Sequence, residues 1–183
     1  MKTHKDPDGL NRLASKMKKG DEKAAVRLYE KLASKTFGFF MNRLASREAA
    51  EDLTQDVFIK LLDHIDSFDE RKGNFVVWFW QVARNSAIDY YRKKREDSLS
   101  DVCEVRLAAY TAENYAALLD AKIKSEAVRG FVSSLDEDEK DLFELRFIAE
   151  NSYSELSEIL GKSEGSLRVA VSRLKQKIKK NLA

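Results

Sequence analysis

A single proline, Pro7, stands in a chain of 183 residues, and glycine appears only seven times. Inside a helix proline costs about 3 kcal/mol and glycine about 1 kcal/mol relative to alanine, so a chain this poor in both can run in long helices. The apolar residues are spaced to match. Ala25, Leu28, Leu32 and Ala33 fall three and four apart behind Asp21, an N-cap residue followed by Glu22 in the first turn. The pattern continues through Phe37, Phe39, Phe40 and Leu44, with a bend expected at Gly38. Ser46 opens another helix. Its apolar stripe is Ala49, Ala50, Leu53, Val57, Phe58, Leu61 and Leu62, and its opposite face carries Glu51, Asp52, Gln55, Asp56 and Lys60.

A polar loop from Asp66 to Asn74, holding the one aromatic Phe68, precedes a long helix expected from about Phe75 to Lys94. That helix starts with Phe75, Val76, Val77, Trp78, Phe79 and Trp80 and ends with Arg92, Lys93, Lys94 and Arg95. Residues 97–124 are mixed and acidic, a linker expected to be partly helical around Tyr115 to Ile123. A second domain begins near Ser125, with Ala127, Val128, Phe131 and Val132 on its first helix. A second helix runs from Asp136 through Ile148, and a turn at Glu150, Asn151 and Ser152 follows. The expected fold is all-α: two small helical domains, residues 10–96 and 125–183, joined by the 97–124 linker.

Lys and Arg exceed Asp and Glu by five over residues 1–96, fall short by seven over 97–150, and exceed them by four over 151–183. Two basic segments flanking an acidic one make nucleic acid a plausible partner. Cys103 is the only cysteine, which excludes an intrachain disulfide and a multi-thiolate metal site. His4 and His64 lie far apart without a ligand motif, so a surface or structural role is expected for each, and no metal or cofactor. The first residues lack the apolar stretch of a signal peptide, and no run approaches 18 apolar residues. No membrane span and a cytoplasmic protein are expected.

Residues 152–180 carry the most specific pattern. Tyr153 to Leu160 makes a short amphipathic helix, and Gly161 can take the positive φ that closes it. Ser163 can cap the next helix, with Glu164 in its first turn. Leu167, Val171, Leu174 and Ile178 line the inner face of that helix, while Ser166, Arg168, Ser172, Arg173, Lys175 and Lys179 lie outside. A short helix, a glycine turn and a basic helix make a helix-turn-helix, whose second helix reads the major groove. The same pattern also describes an amphipathic hairpin that binds nothing.

The stretch from Phe68 to Arg95 interleaves aromatic and basic side chains, as single-strand nucleic-acid sites do. Trp78, Phe79 and Trp80 are consecutive, so at least one must point away from a simple core. Asn85 sits on a small-residue stretch and can pair with a base edge or close a local network. Basic groups at the end of this helix also suit its macrodipole.

Three stretches together resemble the extracytoplasmic-function group of the sigma-70 family. They are AEDLTQDVFIKLL (50–62), SFDERKGNFVVWFWQVARNSAIDYYRKKR (67–95) and YSELSEILGKSEGSLRVAVSRLKQKIKK (153–180). The resemblance implies a sigma factor, not an enzyme, that binds core RNA polymerase at the β′ clamp and the β flap and directs it to promoter DNA. It implies that Asp52, Gln55 and Asp56 face the clamp. It implies that Phe68 and the loop through Asn74, with Trp78 and Asn85, enclose an unpaired base of the minus-ten element. Arg92, Lys93 and Arg95 would follow the phosphates. Ser163, Ser166, Arg168, Ser172, Arg173 and Lys175 would form the surface that reads the minus-thirty-five element. By the same analogy an anti-sigma factor holds the protein inactive until a signal arrives.

Two other readings remain open from the residues alone. A regulator that binds DNA without melting it would keep the helix-turn-helix, but residues 1–96 lack the strand alternation of a receiver domain. A nucleic-acid-processing enzyme would need a metal or acid–base cluster. Asp52 and Asp56 lie one turn apart, but no third ligand follows at suitable spacing.

Overall fold

The computed structural model describes residues 9–97 except 45, 71 and 72, and residues 128–182 except 129; the side chains of 95–97 and 182 are outside the description. Most of the expected linker, including the helix anticipated around Tyr115 to Ile123, and Ala127 lie outside the described residues. Among the described residues every regular element is helical. In the N-terminal domain these are α1 (Leu10–Met17), α2 (Glu22–Arg43), α3 (Arg47–His64), a 3-10 turn (Ile65–Ser67) and α4 (Phe75–Asp97). In the C-terminal domain they are helical residues 130–133, α5 (Glu137–Phe143), a π-helical turn (Glu144–Ile148), α6 (Tyr153–Leu160) and α7 (Glu164–Leu182).

Caps set the boundaries. Asp21 accepts the Ala24 amide at 3.1 Å to start α2, and Ser46 accepts the Ala49 amide at 3.2 Å to start α3. Each such cap contributes about 1 kcal/mol by satisfying an amide that the helix itself leaves unpaired. Two asparagines open α4: Asn11 Oδ1 accepts the Phe75 amide at 2.7 Å, and Asn74 Oδ1 accepts the Val76 amide at 3.0 Å. Helix α1 lies ahead of the expected elements and buries Leu10, Leu13, Ala14 and Met17 on one face.

The N-terminal core is aromatic. Phe39, Phe40, Phe75, Phe79 and Trp80 are all but solvent-free, and Phe39 stands 5.6 Å from Trp80, ring centre to ring centre. Helix α2 runs through Gly38 as one element from Glu22 to Arg43. The glycine serves packing. A Cβ there would lie 3.0 Å from Ile148 Cγ2, so the absent side chain lets the C-terminal domain approach α2. Leu62, expected on the inner stripe of α3, is 59% exposed, because Val57, Phe58, Leu61 and Ile65 occupy the core side.

The C-terminal domain also follows its caps. Asp136 accepts the Glu139 amide at 2.8 Å. Ser152 and Glu155 form a reciprocal capping box on α6, and Gly161, at φ 66, ends it. The π-helical turn was not foreseen; the Ala149 amide reaches the Glu144 carbonyl at 2.8 Å.

Candidate nucleic-acid and polymerase interfaces

A cavity of about 310 Å³ opens where the loop after α3 meets α4, lined by Ser67, Phe68, Asp69, Gly73, Asn74, Val77, Trp78 and Gln81. Its loop is tied down from α1: Lys18 Nζ donates to the Asp66 carbonyl at 2.6 Å and to the Phe68 carbonyl at 2.8 Å. Phe68 is buried with its ring centre 5.4 Å from Phe75, whereas Trp78 is half-buried, 6.1 Å from Phe68. Of the three consecutive aromatics, Phe79 and Trp80 enter the core and Trp78 turns to the cavity.

Along α4, residues 74, 78, 81, 85 and 92 follow three-, four- and seven-residue steps, so Asn74, Trp78, Gln81, Asn85 and Arg92 share one face. Asn85 and Lys93 are exposed, and Arg92 pairs with Asp89 at 3.2 Å. The side chain of Arg95 is outside the description. The sequence reading named neither Val77 nor Gln81 in this cavity. Gln81 was legible from its helical step between Trp78 and Asn85; Val77 reads as ordinary core.

Asp52, Gln55 and Asp56 are exposed together on α3, and the same face continues into Ile59 and Leu62, 54% and 59% exposed. On α7 the inner residues Leu167, Val171 and Leu174 are buried, while Ser166, Arg168, Ser172, Arg173 and Lys175 are exposed. Ser163 caps the helix by accepting the Ser166 amide at 3.2 Å. Arg168 is not loose. Its guanidinium lies 4.3 Å from the centre of the Tyr153 ring and donates to Glu164 Oε2 at 3.2 Å. Arg146 sits 5.0 Å from the same ring.

The two domains pack against each other through ions. Arg43 at the end of α2 donates to Glu144 and to Asp141, and Arg84 Nε on α4 donates to the other oxygen of Asp141 at 2.6 Å. Burial opposes the charge of Arg43, but the Glu144 and Asp141 carboxylates more than offset it and hold the guanidinium above its ordinary value. Burial pushes the Glu144 carboxyl up to about 8, against the pull of Arg43. Lys35 pairs with Glu150 at 2.6 Å, and Asn74 donates to Glu155 at 3.2 Å. Glu158 of α6 lines the cavity beside Trp78. The packed domains leave the outer faces of α3 and α7 exposed. None of these interdomain partners was expected from the sequence.

Residues 28–96 match the family model described as Sigma-70 region 2, and residues 125–178 match that described as Sigma-70, region 4. The chain is similar to the ECF RNA polymerase sigma factor SigM of Bacillus subtilis (strain 168), 30% identical over 153 residues that cover 83% of this chain and 91% of that protein. It is similar in structure to the sigma factor RpoE of Bartonella quintana, solved in complex with the anti-sigma factor NepR. That likeness has a TM-score of 0.66 and 25% identity, over 85% of this chain and 94% of the other. CnrH, solved in complex with the cytosolic domain of CnrY, shares the fold at a TM-score of 0.70 and 19% identity, over 93% and 94% of the two chains.

Proposed function

The chain belongs to the extracytoplasmic-function group of the sigma-70 family, and on that premise we propose how its parts divide the work of promoter recognition. As a sigma factor it directs RNA polymerase to specific promoters to initiate transcription. Sigma factors act on polymerase in the cell interior, and no helix among the described residues is long and apolar enough to cross a membrane. The proposed compartment is the cytoplasm, and the proposed role is specificity, with the chemistry left to polymerase.

The observation that carries the division of work is the cavity at Phe68 and Trp78, in line along α4 with Asn85 and Arg92. An unpaired base needs a flat apolar wall, a hydrogen-bonding edge and a cation for its phosphate, and that face supplies all three. In this reading the N-terminal domain captures the non-template strand of the minus-ten element with Phe68, Asn74, Trp78, Asn85, Arg92, Lys93 and Arg95. The acidic face of α3 at Asp52, Gln55 and Asp56 meets the basic side of the polymerase clamp. The C-terminal domain meets the β flap and lays α7 in the major groove of the minus-thirty-five element, with Ser163, Ser166, Arg168, Ser172, Arg173 and Lys175 towards DNA. Glu158 of α6 sits in the cavity lining, so in this reading the domains part when a strand enters. An anti-sigma factor that binds the packed form is the proposed inhibitor, supported by the likeness to RpoE in its complex with NepR.

Core polymerase with this chain, transcribing sheared genomic DNA of the source organism, tests the reading. The expected result is a set of transcript 5′ ends sharing upstream elements, lost when Trp78→Ala and Asn85→Ala are combined. Starts that do not depend on the added chain would overturn it.

A further inference from the structure

The strongest unassigned feature is the pair of arginines that converge on one carboxylate across the domain seam. Arg43 takes Asp141 Oδ1 and Arg84 takes Asp141 Oδ2, so each carboxylate oxygen has its own guanidinium. Two guanidiniums on two oxygens of one anion is how arginines hold a phosphodiester. The site is built on the N-terminal domain alone. The Arg43 guanidinium rests 4.8 Å over the ring of Phe39, one helical turn back, and Tyr91 of α4 donates its hydroxyl to the Arg43 carbonyl. Arg84 is next to Asn85 and one turn beyond Gln81 at the cavity, so it flanks the line followed by the minus-ten face.

The group that fills the site comes from the acidic part of the chain. Helix α5 carries Glu137, Asp138 and Glu139 in its first turn, then Asp141, with Glu144 directly after it. Asp141 and Glu144 are nearly solvent-free in the packed form, and Arg43 has 3% of its side chain exposed. Parting the domains strips both arginines of these anions and leaves two cations close enough together to share one anion, with Arg84 next to Asn85 on α4.

We propose that Arg43 and Arg84 form a binding site for a backbone phosphate of the unpaired promoter strand, and that Asp141 occupies it while the domains are packed. The inference rests on the minus-ten reading above and adds a site to it. Asp141 thus acts as an internal substitute for the phosphate: strand capture and domain packing compete for the same two guanidiniums.

The test uses the full chain and a twelve-residue oligothymidylate, which offers phosphates without promoter sequence. Scattering reports the radius of gyration, and anisotropy over a salt series reports affinity. Asp141→Ala with Glu144→Gln should expand the chain and tighten probe binding about tenfold. Adding Arg43→Gln and Arg84→Gln should cancel the gain and reduce the salt slope by about 0.7, the value for one single-strand phosphate contact. An expanded chain whose slope ignores the arginines overturns the phosphate site, and an acid-side variant that stays packed and gains nothing overturns the competition. Because that change removes two buried carboxyls at once, Asp141→Asn, which keeps the size of the side chain, is the second variant. It should bind the probe more tightly than the parent chain, and no gain would count against the proposal. Transcription of genomic DNA by the parent chain with core polymerase separates the readings: activity there with an unchanged slope sinks this site alone.

Discussion

Arg43 at the end of α2 and Glu144 at the start of the π-helical turn form a buried ion pair across the two domains, 101 residues apart in the chain. Their side chains are 3% and 0% exposed. The contact holds the domains only while Arg43 remains, because its removal leaves the Asp141 carboxylate and Glu144 buried without this donor. Breaking such a pair costs about 3–5 kcal/mol. Arg43→Ala is therefore expected to separate the domains rather than unfold them, since parting returns Asp141 and Glu144 to water. Calorimetry should show one cooperative transition in the parent chain and two in the variant. A single transition at an unchanged midpoint would refute the role of this pair in domain packing.

Alkaline pH should loosen the same seam. Burial pushes Glu144 up to about 8, while in the parted form it returns towards its ordinary value of 4.5. The packed form thus binds the extra proton. Its stabilisation is complete below about 4.5 and is lost as pH rises through about 8. The groups facing Glu144 are Arg43 on α2, Asp141 and Glu137 on α5, and Tyr91 on α4, with Arg84 reaching it through Asp141. Tyr91 is pushed up from 10 by burial, so it titrates above this window. The radius of gyration should rise between pH 6 and pH 9, and Glu144→Gln should remove most of the change. An identical rise in Glu144→Gln would point to another group.

The outer face of α3 is expected to carry polymerase docking. Gln55 and Asp56 are exposed and bear no core contact, so Gln55→Ala with Asp56→Arg should leave the thermal midpoint nearly unchanged. Competition against the labelled parent chain for core polymerase should show at least a tenfold loss. Equal competition would move the docking face elsewhere.

Arg168 is held by Tyr153 and Glu164 near the start of the recognition helix, the place from which side chains reach base edges. An arginine paired to guanine by two hydrogen bonds supplies about 1–3 kcal/mol of discrimination. Arg168→Ala should flatten preference at one or two positions in a duplex library randomised over the minus-thirty-five element and selected by holoenzyme. Tyr153→Leu should flatten the same positions less, and Tyr153→Phe hardly at all, since the ring face is what the guanidinium needs. Lys179→Ala should weaken binding evenly across sequences and lower the salt slope by about one unit. If Arg168→Ala lowers every sequence equally, it touches a phosphate and base reading lies at Ser172 or Arg173.

Much of this molecule was legible along the chain because helices are local. The caps at Asp21, Ser46, Asp136, Ser152 and Ser163, the stop at Gly161 and the buried stripe of α7 all depend on residues within four positions of one another. The periodicity therefore determined the helical character of the described residues, the order of the helices from α2 onward and the outward faces of α3 and α7. The order of the three motifs named the family. What only the tertiary structure decided is the seam. Arg43 ends a helix, Arg84 reads as one more basic residue beside Asn85, and Asp141 and Glu144 read as solvated acids on a short helix. Nothing local distinguishes them, because their pairing follows from two domain faces meeting. Gly38 shows the same limit: nothing next to it in the sequence points to the space it leaves for Ile148. Which aromatic faces the cavity was likewise settled by packing: α4 has one face against the core, and once Phe79 and Trp80 fill it, Trp78 is turned out towards Phe68.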